Sequence, residues 1–125
     1  MTTLQQLISD LERFATERDW QPFHTPKNLA MALSVEAAEL VEIFQWEDGQ
    51  RPFADYDLAQ QTATRHEVAD ILLYLLRFCS VTGIDPLAAA VEKMRLNAEK
   101  YPVETAKGRA KQVQASLSRD TPAAD

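Results

Sequence analysis

Residues 67–82 have the sequence EVADILLYLLRFCSVT, and this stretch decides the fold class. A helix over these residues carries apolar side chains around most of its circumference, interrupted near its start by Glu67 and Asp70. Such a helix is typical of the buried centre of a bundle. Because Gly83 follows directly and glycine commonly ends a helix, the pattern predicts a helix over about 59–82.

Three more helices are predicted on either side of this one. Thr25-Pro26 and Asp85-Pro86 each combine a residue that caps a helix N-terminus with a proline suited to the first helical position. The expected fold is all-α, a four-helix bundle-like domain over 1–102, followed by a mobile tail over 103–125 in which the apolar periodicity stops. The four helices are predicted at about 3–18, 25–46, 59–82 and 85–101.

Composition narrows the possible partners. The chain has 125 residues and a formal net charge of −6, without the basic patch that binding to a nucleic-acid polymer requires. No apolar run approaches the roughly 20 residues that span a bilayer, and the first residues lack the layout of a signal peptide. The single cysteine, Cys79, cannot form an internal disulfide. A cytoplasmic protein without membrane or nucleic-acid partners is therefore expected.

Two pairs of acids stand at helical positions that should be apolar. Glu36 and Glu39 lie three residues apart on the second predicted helix, and Glu67 and Asp70 have the same spacing on the third, so each pair shares a side of its helix. Glu36 lies in the middle of an apolar stripe, within about 40° of its neighbours on a helical wheel. Those neighbours are Leu29, Leu40 and Ile43.

Four converging acids indicate a metal site. Buried unpaired carboxylates are costly, and a hard divalent cation with oxygen ligands removes the repulsion between them. A di-iron site would need Glu-x-x-His pairs, and neither His24 nor His66 stands three residues after a glutamate. The prediction is Mg²⁺, or Mn²⁺ in its place, held by Glu36, Glu39, Glu67 and Asp70. In the alternative interpretation, these are surface acids on helices that pack differently.

Aromatic residues flank the acid pairs. Trp20 and Trp46 stand at the two ends of the second predicted helix, and Tyr74 follows Asp70 by one turn. Their rings could stack on a nucleobase. Core or hinge packing is the better explanation for either tryptophan taken alone, and the position beside the acid pairs strengthens the functional interpretation of Trp46 and Tyr74. His24, in the segment before this helix, could contact a base or a phosphate, or cap the loop.

Polar residues recur on one face of the fourth predicted helix. Lys93, Asn97 and Lys100 have the spacing of a single helical face, which suits a triphosphate because charge-assisted hydrogen bonds to phosphate are strong. Lysine is also common at helix C-termini because of the helix dipole, so Lys100 alone proves little.

Taken in order, these blocks resemble the all-α nucleotide pyrophosphohydrolases of the MazG type, and most closely their dCTP pyrophosphatase branch. The likeness extends from about Leu4 to Pro102. Besides the two acid pairs, it is carried by FHTPKNLA at 23–30, ELVEIFQW at 39–46, DILLYL at 70–75 and NAEKYP at 97–102.

The resemblance implies an enzyme that hydrolyses a dNTP, dCTP or a modified dCTP, to a dNMP and pyrophosphate and so sanitises the nucleotide pool. It implies a tetramer, a dimer of dimers, with active sites at subunit contacts. The four acids are expected to bind magnesium and to carry catalysis by water attack on the α-phosphorus, with Glu39 as a candidate base. The resemblance assigns Trp20, Trp46 and Tyr74 to the base pocket, and Lys93, Asn97, Lys100 and Tyr101 to the sugar and phosphates.

Two kinds of alternative remain open. An all-α dUTPase or a broad NTP pyrophosphohydrolase would use a similar set of acids, and only a substrate panel separates them. A non-catalytic helical scaffold that assembles through its apolar faces would show no dependence on magnesium and would tolerate Glu36→Gln.

Overall fold

The computed structural model describes residues 1–109, which form helices and turns without a strand. The all-α fold and the four predicted helices are confirmed. The helices are α1 (Leu4–Glu17), α2 (Pro26–Phe44), α3 (Leu58–Thr82), α4 (Pro86–Lys100) and a short α5 (Val103–Ala106), with 3-10 turns at Gln21–Phe23 and Phe53–Asp55.

Side-chain caps fix where the helices begin. Thr3 and Asp57 each form a reciprocal pair of hydrogen bonds with the glutamine three residues later, at the starts of α1 and α3. The Thr25 side chain accepts a hydrogen bond from the Asn28 backbone N–H at 3.2 Å, and Pro26 occupies the first helical position as predicted. Gly83 ends α3 with a positive φ of 74°, a conformation that other residues adopt at a cost.

The core lies where α3 packs against α1 and α2. One side chain from each helix is almost completely enclosed: Ala15 is 1% exposed, Leu29 1% and Leu76 2%. Full burial of each leucine contributes roughly 1.5–3 kcal/mol. Because α3 packs against α2, Glu67 and Asp70 of α3 face Glu36 of α2.

The long segment between α2 and α3 is organised around Tyr56, which is buried. The Tyr56 ring meets Phe44 edge to face at 5.4 Å, and the Arg51 guanidinium lies over it at 4.6 Å. Gln60, near the start of α3, donates a hydrogen bond to the Glu47 carboxylate at 2.9 Å. The segment is therefore tied to both helices that it connects.

The chain divides into two units, residues 1–85 and a second unit that begins at Pro86. Within the second unit, α4 exposes Leu87, Val91 and Met94 on one face. Residues 103–109 of the predicted tail begin with α5, and 110–125 lie outside the described residues.

No single helix among residues 1–109 has the length and apolar character to cross a membrane. Within these residues, only the bent pair α3 and α4, counted together, is long and apolar enough for a membrane span.

Candidate active site

The packing of α2 on α3 brings three of the four predicted acids together. Glu36, Glu67 and Asp70 each offer a carboxylate oxygen, and these three oxygens lie within 4.8 Å of one another. Glu36 and Glu67 are half-buried, as expected for acids on the inner faces of their helices. Glu39, one turn beyond Glu36, is also half-buried but does not belong to the converging group of three.

The crowding changes the electrostatics of Glu36. Hydrogen bonding to Glu67 and then to Glu39, together with burial and the negative charges of Glu39 and Asp70, raises the pKa of Glu36 from 4.5 to about 7. Ionising Glu36 beside other carboxylates carries a cost, and the raised pKa of Glu36 reflects that cost.

The acids fit a hard divalent cation. One oxygen of Glu36 and one of Glu67, both Oε2 atoms, are buried without any hydrogen-bond donor. Buried carboxylate oxygens normally have a partner, and an all-oxygen donor set is the one that Mg²⁺ and Ca²⁺ prefer over softer metals. A divalent cation would satisfy both orphaned oxygens and remove the repulsion that raises the pKa of Glu36.

Glu36 and Asp70 line a cavity of about 320 Å³ within the first unit. Aromatic residues form its middle section: the Phe14 and Trp20 rings meet edge to face at 5.5 Å, and Tyr74 lines the same space. The full lining consists of Leu11, Phe14, Ala15, Trp20, His24, Glu36, Asp70, Leu73, Tyr74 and Arg77.

Local structure places His24 at this cavity. The residue follows the turn Gln21–Phe23, and the Asn28 side chain donates to the Phe23 carbonyl at 3.0 Å, which ties the turn to the first turn of α2. The Gln21 side chain donates to the Thr16 hydroxyl at 2.8 Å and so anchors the turn to α1. The His24 ring then meets Trp20 edge to face at 6.2 Å.

Arg77 is a cavity residue to which the sequence interpretation assigned no role. Its side chain is buried, with 7% of the residue exposed, and its Nε–H donates to His24 Nδ1 at 3.0 Å. Burial and then the Arg77 charge lower the pKa of His24 below 6.5, so the ring is neutral near pH 7. The sequence did contain a signal for its place at the site, because Arg77 stands seven residues after Asp70 and therefore on the same helical face.

Some predicted site residues do not line the cavity, among them Glu39 and Glu67 of the acidic set. Trp46 follows the C-terminus of α2, is 91% exposed and does not line the cavity. Four more belong to the second unit, where Asn97 is half-buried and its backbone carbonyl accepts a hydrogen bond from the Tyr101 backbone N–H at 2.8 Å. In that unit the Lys100 ammonium lies 5.5 Å from the Tyr101 ring, and Lys93 is exposed on α4. Their roles in binding stay predictions.

Residues 31–115, which include both acid pairs, match the MazG-like family. The chain belongs to the MazG-like family. A solved structure of a pyrophosphatase from Archaeoglobus fulgidus is similar to it with a TM-score of 0.75 and 39% identity, over 82% of this chain and 94% of that one. The family predicted from the sequence blocks is confirmed.

Characterised members also resemble the chain. It is 36% identical to dCTP pyrophosphatase 1 of Rattus norvegicus over 109 residues, which are 86% of this chain and 64% of the rat protein. The corresponding protein of Homo sapiens is 36% identical over 106 residues, 84% of this chain and 62% of its own. The chain thus spans somewhat less than two thirds of the length of these relatives.

Proposed function

We propose that this MazG-like protein is a Mg²⁺-dependent nucleoside triphosphate pyrophosphohydrolase that converts dCTP, or a modified dCTP, to the monophosphate and pyrophosphate. The observation that carries the proposal is that a convergent carboxylate cluster and an aromatic cavity adjoin, since Glu36 and Asp70 line the same space as Trp20 and Tyr74. A site for a cation beside a site for a flat ring is what a nucleotide with a phosphate chain requires. The names of the similar proteins support the reaction and the base.

Glu36, Glu67 and Asp70 would hold the cation, with Glu39 completing the acidic set. When bound, a divalent cation supplies charge neutralisation and Lewis-acid polarisation of the phosphoryl oxygens. The carboxylates keep that charge at one end of the cavity, which orients the phosphates of the substrate toward α2 and α3.

Glu39 is the carboxylate best placed to accept a proton from the attacking water. It lies close enough to Glu36 to raise the pKa of that residue, yet it is outside the group of three converging oxygens. An acid at the edge of a metal site is placed to take a proton from water activated there. Water would attack the α-phosphorus, and pyrophosphate would leave.

The aromatic section of the cavity would hold the nucleoside. Tyr74 and Trp20 offer ring faces or edges to a base, and a volume of about 320 Å³ is of the size that a nucleoside occupies. The triphosphate would extend past Glu36 and Asp70. From the family resemblance alone, Lys93, Asn97, Lys100 and Tyr101 are proposed to bind sugar and phosphates.

Association of identical chains, as a tetramer built from two dimers, is part of the proposal. On α3, Val68, Leu72 and Leu75 lie on one face and are 53%, 41% and 40% exposed. On α2, Met31 and Val35 are similarly exposed. Contiguous apolar faces on two neighbouring helices support burial against further copies.

Oligomerisation also gives Trp46 a role. Because this side chain is 91% exposed and does not line the cavity of its own chain, it can stack on a bound base only from a second copy. We further propose that the enzyme works in the cytoplasm and removes unwanted deoxynucleotides from the precursor pool, a role that suits an acidic chain with one buried thiol.

A substrate panel tests the proposal. The full chain is incubated with each dNTP and with dUTP, in Mg²⁺ or in excess chelator, and monophosphate and pyrophosphate are quantified. Activity that requires Mg²⁺ and is highest with dCTP is expected, and the highest activity with dUTP would favour the dUTPase alternative. In water labelled with heavy oxygen, attack on the α-phosphorus should place the label in the dCMP. Label in pyrophosphate would show attack on the β-phosphorus instead. No cleavage of any nucleotide would overturn the proposal.

A further inference from the structure

Arg77 is a buried cation without a carboxylate partner in the described chain. Within residues 1–109 no acidic oxygen lies within 4.0 Å of its guanidinium, although Glu36 and Asp70 line the same cavity. Its hydrogen bond goes instead to the neutral His24 ring. Burying a charge is costly unless it is paired. The charge and the remaining N–H donors of the Arg77 guanidinium are therefore available to a molecule bound in the cavity.

The position of Arg77 on α3 indicates which part of a nucleotide it would face. Asp70, Tyr74 and Arg77 lie on one side of the helix and all line the cavity. Seven residues separate the first from the last, a rise of about 10 Å along the helix axis. With the phosphates at the acids and the ring beside Tyr74, the far edge of the base reaches Arg77.

This end of the cavity offers hydrogen-bond donors. Arg77 has only donors, and the terminal nitrogens of its guanidinium remain after Nε–H is given to His24. Because His24 Nδ1 accepts that bond, the proton of the neutral ring sits on Nε2, which therefore donates as well. The two terminal nitrogens of Arg77 form a pair of adjacent donors, and such a pair matches a base edge with two adjacent acceptors, as arginine does with guanine in DNA.

We infer that Arg77, acting with His24, selects cytosine by donating hydrogen bonds to N3 and O2 of the base. Among the pyrimidines, only cytosine presents these two acceptors side by side, because thymine and uracil carry a proton on N3. Substituents at C5 of cytosine leave both acceptors unchanged, so modified cytosines are selected in the same way. The inference rests on the proposed function and specifies how its base preference arises.

The first test is Arg77→Gln, with Arg65→Gln as the matched control because Arg65 is an exposed arginine on the same helix. The quantity compared is the ratio of kcat/KM for dCTP to kcat/KM for dTTP. Loss of hydrogen bonds from a charged donor should lower this ratio about tenfold to a hundredfold in Arg77→Gln. The ratio should stay unchanged in Arg65→Gln. An unfolded fraction cannot mimic the result, because it lowers both values of kcat/KM equally.

The second test removes the acceptor from the substrate and needs no folded variant. The nucleotide 3-deaza-dCTP has a C–H group in place of N3, so the wild-type protein should hydrolyse it with a kcat/KM at least about tenfold below that for dCTP. In Arg77→Gln the difference between the two nucleotides should largely disappear. Arg77→Lys, which keeps the charge without the planar fork, should recover only part of the dCTP preference.

The outcomes separate this inference from the function on which it rests. If wild-type protein hydrolyses dCTP but treats 3-deaza-dCTP equally well, or if Arg77→Gln keeps the wild-type ratio, Arg77 does not select the base while the proposed function stands. If no nucleotide is hydrolysed by the wild-type protein, the proposed function fails first. Equal losses for all nucleotides in Arg77→Gln would assign the residue a purely structural role and overturn the inference.

Discussion

The substitution Glu36→Gln tests the metal site most directly. It removes one of three carboxylates whose oxygens lie within 4.8 Å of one another, with little change in side-chain volume. Turnover should fall by at least about a hundredfold, since a ligand and its charge are lost together at the point where charge develops. Glu42→Gln is the matched control, because Glu42 is an exposed acid on the same helix and should keep wild-type kcat.

Stability gives an independent measure of the same change. At ten times its dissociation constant a cation that binds only the folded wild-type chain stabilises it by about 1.4 kcal/mol. For a domain of about 100 residues this corresponds to a rise of roughly 5–10 °C in Tm. The Tm of Glu36→Gln should rise much less at the same Mg²⁺ concentration, and that of Glu42→Gln should rise as in the wild type.

Without metal, the order of stability should depend on pH. The pKa of Glu36 is raised from 4.5 to about 7 in the folded chain, so the wild type loses stability as the pH rises through this interval, while glutamine never becomes charged. The variant should therefore be the more stable protein above pH 7 and lose that advantage toward pH 4.5. More than a tenth of wild-type turnover in Glu36→Gln, together with an unchanged Mg²⁺ shift in Tm, would refute the metal assignment.

Three other perturbations test separate parts of the proposal. Trp46→Ala should raise KM about tenfold to a hundredfold for all dNTPs with little change in their ranking, and a selective loss for dCTP in steady-state kinetics would show instead that Trp46 distinguishes bases. Leu72→Glu should reduce the mass found by sedimentation, because it places a charge on the exposed apolar face of α3, and an unchanged mass would remove this face from the interface. The lowered pKa of His24 means that the folded chain resists protonation, so the free energy of unfolding should fall as the pH drops below 6.5. The decrease in unfolding free energy, measured by urea denaturation, should be smaller in His24→Gln. An equal decrease in both proteins would show that His24 is not its cause.

Helix positions could be predicted from the sequence because their signals are local. Thr25-Pro26 and Gly83 act through backbone conformation and caps within a few residues, and α2 and α3 end within two residues of the predicted positions. The organisation of the segment before α3 could not be predicted, because burial of Tyr56 depends on its packing against Phe44 of another element.

The site was predictable to the extent that it depends on helical faces. Glu36 on an apolar stripe indicated an inward carboxylate, and its partners on α3 followed from the same argument. The bond between Arg77 and His24 joins residues 53 positions apart and needs tertiary packing, so sequence spacing did not indicate it. The exposure of Trp46 was missed for a related reason, since the helical wheel describes α2 but not the chain after Phe44.

The carboxylate cluster also limits how this chain can adapt to heat. Selection for thermal stability alone would favour replacing Glu36 or Glu67 by an amide or an apolar residue, since each such change relieves repulsion and leaves no orphaned acid oxygen. Selection for activity forbids it. Under the proposed function, heat-adapted members with the same site would therefore gain their stability away from the acids, for example by burying the exposed apolar face around Leu72, which leaves the acids unchanged.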